Sequence, residues 1–97
     1  MIDLTQDSRR GQEAKRLIEH ELIRETLDGM RQAIILKWES APISDREGQH
    51  ELKLMLKLLN DFEGNFKTII RSGQLADFEI ASQRKREQQM EKIKKWA

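Results

Sequence analysis

The sequence predicts an all-α protein, a long antiparallel helical hairpin followed by a basic C-terminal helix. Three observations carry this. Hydrophobic residues make up 37 % and charged residues 36 % of the 97 residues, the balance of long amphipathic helices rather than of a globular β domain. Five glycines and a single proline leave room for few turns, hence for few, long elements. Leu52, Met55, Leu59, Phe62, Phe66 and Ile69 recur at spacings of 3, 4, 3, 4 and 3, an unbroken heptad stripe.

The elements follow in order. Residues 1–10 are polar and expected to be flexible. Residues 11–40 form the first expected helix, rich in Ala, Leu, Glu, Lys, Gln and Arg, with Gly29 as its weak point. Pro42 lacks an N–H and disfavours a helical Ala41, so the chain breaks there. Ser44-Asp45-Arg46-Glu47 then reads as a capping box, with Ser44 as N-cap. The second expected helix covers 45–72, ending in a basic turn and a Gly73 terminator. A third is expected over 74–95, apolar at both ends and wholly polar from Ser82 to Gln89. All of this is one domain's worth of chain.

The first helix carries two apolar faces. At about 100° per residue, Ile23, Leu27, Met30, Ile34 and Trp38 share one face. Ala14, Ile18, Leu22, Ala33 and Leu36 share another, about 140° away. One face suffices for packing on the second helix, so the second set is the expected self-interface. A hairpin of ~30-residue helices encloses little core. The missing burial can come from the third helix folding back, from a second copy or from another protein; completion by oligomerisation, as a four-helix bundle of two copies, is the simplest closed solution and the one expected.

Function classes narrow by chemistry. No cysteine is present, which removes disulfides, thiolate metal sites and cysteine nucleophiles together. No Gly-rich phosphate loop and no nucleophile paired with a base is found. The reading is therefore a non-enzymatic protein with no catalytic residue, cofactor or metal. Glu47 and His50 have the Glu-x-x-His spacing of carboxylate-bridged di-iron bundles, but Glu47 is already used in the cap. His20, among Glu19, Glu21 and Arg24, reads as a solvated surface. The start Met1-Ile2-Asp3-Leu4 lacks the blocks of a secretory signal. The longest apolar run, Ala33–Leu36, is far short of a membrane span. A cytoplasmic protein without membrane contact is expected.

Charge is unevenly spread. Six Lys/Arg against two Glu leave residues 84–97 at +4, whereas twelve against fifteen leave residues 1–83 at −3. Arg84, Lys85, Arg86, Lys92, Lys94, Lys95 and Trp96 are the expected partner-binding set. Their partner is an acidic protein surface or, as the alternative function, nucleic acid, with cations on phosphates and Trp96 stacked on a base.

The run Leu22-Ile23-Arg24-Glu25 to Lys37-Trp38-Glu39, with the loop and Leu52–Leu59, resembles small uncharacterised helical proteins of tailed bacteriophages and prophages. The likeness covers about residues 14–73. It implies a structural or assembly role, in the host cytoplasm or the virion.

Overall fold

Asp3 opens the described chain by accepting the Gln6 N–H at 3.1 Å, the N-cap bond of a first helix. The computed structural model describes residues 3–96. It contains α1 (Leu4–Ile18), α2 (Glu21–Ser40) and α3 (Arg46–Trp96), with no strand among the described residues. The all-α hairpin expected from the sequence is therefore what is seen. α1 and α2 lie end to end along one side of α3, antiparallel to it, α2 beside its first half and α1 beside its middle. At about 1.5 Å per residue, the 51 residues of α3 account for the 79 Å length of the molecule.

Four boundaries differ from the sequence reading. The expected flexible segment 1–10 is helical from Leu4, since Asp3 caps it and the Ser8 hydroxyl donates to Asp77 of α3 (residues 1 and 2 lie outside the described part). The expected helix 11–40 is broken at Glu19-His20, not weakened at Gly29. His20 has φ −60° and ψ 130°, and its Nδ1 accepts the Leu22 N–H at 3.2 Å, capping α2. α3 begins one residue later than the expected capping box implies. Asp45, not Ser44, accepts from the Gly48 N–H, at 3.0 Å. The expected helices 45–72 and 74–95 are one helix, with Gly73 inside it and no glycine at positive φ.

The break at residue 20 explains the two apolar faces. A straight helix would turn Ala14 and Ile18 away from α3. One extended residue re-phases the chain, so Leu4, Gly11, Ala14 and Ile18 face α3 as Ile23, Leu27 and Ile34 do. Gly11, Ala14, Ile18, Leu27 and Ile34 are buried within the chain. On α3 the covered stripe is Leu52, Leu56, Leu59, Glu63, Phe66, Ile70 and Gly73. It keeps Leu52, Leu59 and Phe66 of the expected stripe and takes Leu56, Glu63 and Ile70 in place of Met55, Phe62 and Ile69. Met55 and Phe62, expected core, are about half exposed, and Phe62 lies edge-on to Phe66 with centroids 5.2 Å apart.

Where α1 crosses α3, Gly11 meets Gly73. A Cβ on Gly11 would lie 2.7 Å from the Gly73 Cα and 3.2 Å from the Ile69 carbonyl oxygen. Only glycine permits this approach of two backbones.

Candidate interaction surfaces

A charged cluster sits on one flank of the α2–α3 seam. Glu63 is 7 % exposed and occupies a stripe position where an apolar residue is the rule. The Arg31 guanidinium donates to Glu63 Oε1 and, at 3.5 Å, to Asn60 Oδ1. Arg24 stands 3.7 Å from the other Glu63 oxygen. Asp28 pairs with both arginines, at 3.4 and 3.3 Å. A buried charge survives only when paired and hydrogen-bonded, and here it is. The bond from Arg31 holds the Glu63 carboxyl below the usual carboxylate range, against the opposing effect of burial.

This cluster fixes the sense of the seam. Counted at about 100° per residue from Leu27, Arg31 and Arg24 lie about 40° and 60° to one side. Counted from Leu59, Glu63 lies about 40° to one side. Because the helices are antiparallel, equal senses fall on one flank, and the bonds across it confirm that.

The opposite flank carries no charge over most of its length. On α2 it presents Leu22, Thr26, Met30 and Ala33. On α3 it presents Met55, Leu58, Phe62, Asn65 and Ile69. Charge returns at its two ends, near the loop with Lys37 and Glu51, and beside Ile69 with Asp7 and Arg10 of α1. Leu58 is 68 % exposed, Leu22 64 %, Phe62 51 % and Met30 50 %. On the charged flank, toward the loop, Ile34, Ile35, Trp38, Leu52 and Leu56 line an apolar groove of about 460 Å³, with Lys53 beside them.

Of the expected self-interface, Ala14 and Ile18 are buried against α3 and are not free to meet a second copy. Leu22, Ala33 and Leu36 are exposed. Leu22 and Ala33 fall on the uncharged flank, while Leu36 points away from α3. The expected partner-binding set, Arg84, Lys85, Arg86, Lys92, Lys94, Lys95 and Trp96, is exposed throughout. Arg86 pairs with Glu79 at 3.3 Å. Arg84 and Lys85 line a shallow cleft with Ser8, Asp77 and Ile80, beside the start of α1. The later members lie on the length of α3 beyond α1.

Glu47 and His50 are both exposed in the first turns of α3. No group of three His, Asp or Glu side chains able to hold a metal occurs among the described residues. None of the described helices is long and apolar enough to cross a membrane. Sequence reasoning missed Glu63, because a carboxylate in register reads as a surface residue; Arg24 and Arg31, one turn or two away on the facing helix, were the available signal. Compared with protein-family models, curated proteins and solved structures, the chain finds no significant match.

Proposed function

We propose that this protein is a non-enzymatic assembly or protein-interaction module that works by helix packing, with the basic end of α3 as a second contact element. One observation carries the reading. The described residues include fifteen large exposed apolar side chains and no large side chain that is fully buried. A compact monomer of 11.5 kDa exposes about 5,800 Å², whereas this chain exposes 8492 Å². Apolar patches of that extent on a two-helix layer mark contact surfaces. A role in a phage virion or its assembly, the one the sequence resemblance over residues 14–73 implies, would use such surfaces.

Light scattering on a sizing column, at low and high salt, tests it. A defined oligomer at both salt levels is expected, because apolar contacts are not screened. A helical monomer at both would overturn the self-assembly part of the proposal.

The alternative, nucleic-acid binding, is favoured by one feature. Six Lys/Arg lie exposed along residues 84–95, on a body of opposite net charge.

A further inference from the structure

We infer that the uncharged flank of α2 and α3 is a self-interface that takes a second copy of this chain, closing a four-helix bundle. This rests on the assembly reading above and names its surface. Three observations converge. From Leu22 to Ala33 on α2 and from Leu54 to Ala76 on α3, the residues in the flank's sector include no Asp, Glu, Lys or Arg. The ion pairs across the seam, Arg24 and Arg31 with Glu63, all lie on the other flank. Between Leu22 and Ala33 of α2 and Leu54 and Asn65 of α3, short of Asp7 and Arg10 of α1 beside Ile69, a copy can therefore dock by a two-fold axis without burying an unpaired charge, the costly event at an interface. In a two-fold contact each copy offers the same patch, so an uncharged face meets an uncharged face.

The area is also right. Leu22, Met30, Met55, Leu58 and Phe62 are each 48–68 % exposed. At about 200 Å² per fully exposed side chain of this size, they present about 600 Å² per copy. A standard stable interface needs about 800 Å² per partner. Thr26, Ala33 and Asn65, between and beside them, supply the remainder. The self-interface expected from sequence had Leu22 and Ala33 on this surface; its other members are buried or face elsewhere.

Two readouts test the proposal. Leu58→Glu with Ala33→Glu changes two side chains on the chain's own surface, so helicity by circular dichroism should be unchanged. The dimer's dissociation constant should rise by at least about 100-fold, since each copy would bury new charge. Leu36→Glu, pointing away from the flank, should leave the mass as in the unaltered protein. The second readout needs no substitution. Met30 and Met55 lie on the flank, while Met90 lies on the distal part of α3, and all three are about half exposed in the single chain. Under mild peroxide the dimer should oxidise Met30 and Met55 several-fold more slowly than Met90, and dilution to monomer should abolish the difference. An oligomer that survives Leu58→Glu with Ala33→Glu, or in which all three methionines oxidise alike, overturns this interface and leaves the assembly reading standing. An unaltered protein that is monomeric overturns both this interface and the self-assembly part of that reading.

Discussion

Gly11 and Gly73 face each other across the crossing of α1 and α3, and their neighbours there are backbone atoms that cannot swing aside. Alanine at either position gains about 1 kcal/mol of helix propensity, but forces the helices apart at about 1–3 kcal/mol. Gly29 and Gly64 are helical too, and an added Cβ meets nothing within 4 Å at either. We expect Gly73→Ala to lower unfolding stability by up to about 2 kcal/mol, and Gly29→Ala to raise it by up to about 1 kcal/mol. Denaturant titrations at fixed protein concentration read both, and equal effects of one sign would refute the close-approach account. Glu63 acts at the same scale. Its carboxyl is held below its ordinary value by Arg31, so the folded state binds the proton less well than the unfolded one. The stabilisation is therefore full above the ordinary glutamate range near 4.5, and is lost as pH falls through the lower, folded value. A two-helix layer is thin, and Arg31 is itself 27 % exposed, so the pair is worth about 1–2 kcal/mol rather than the value of a deep core. Glu63→Gln should remove about that amount at neutral pH and flatten the acid limb of the stability curve as pH falls below the ordinary glutamate value of 4.5. An unchanged acid limb would mean that another carboxylate dominates it.

At the scale of elements, the sequence was informative where local chemistry decides. Pro42 marks the turn, good helix formers mark α2 and α3, and the spacing of Ile23, Leu27 and Ile34 gives the packed face of α2. It was silent where a distant residue decides. Gly73 after a basic turn has the local signature of a helix end, and only the presence of Gly11 opposite it makes an uninterrupted helix with a close crossing the better solution. Glu63 reads as a surface residue until Arg31 and Arg24 are placed beside it, which is why the expected stripe ran through Met55 and Phe62 instead. His20 is outside the set of favoured N-caps, so nothing local announces the break it caps. Asp45 and Ser44 are both competent caps, and the turn from Pro42, whose carbonyl accepts the Asp45 N–H at 3.0 Å, selects Asp45. The two apolar faces of residues 11–40 were legible. Their meaning was not, since a break in the helix and a second partner account equally well for faces that a straight helix cannot satisfy together. The structure uses the break for Ala14 and Ile18, and leaves Leu22, Ala33 and Leu36 exposed.

The whole molecule is a rod, 79 × 25 × 19 Å with a radius of gyration of 22.0 Å, against about 12.5 Å for a compact domain of this length. From Gln83 to Trp96, α3 is exposed at every residue, and this part extends for about 20 Å. It buries nothing, so it contributes helix length but little stability. Met90, Ile93 and Trp96 fall within about 120° of one another, while the six cations are distributed around the helix. A polyanion lying along one side therefore reaches about three to six of them. Ending the chain after Gln83 should change unfolding stability by no more than about 0.5 kcal/mol and leave the oligomeric state intact, because the flank of α2 and α3 is untouched. If the alternative function holds, the full chain should bind duplex DNA with log affinity falling against log salt at a slope of about −3 to −5, and the shortened chain should not bind. Salt-sensitive binding that survives the truncation would place the contact on a body of net charge −3 and end the tail reading. No DNA binding by the full chain would leave these cations to an acidic protein surface, which the apolar side formed by Met90, Ile93 and Trp96 suits better than it suits phosphates.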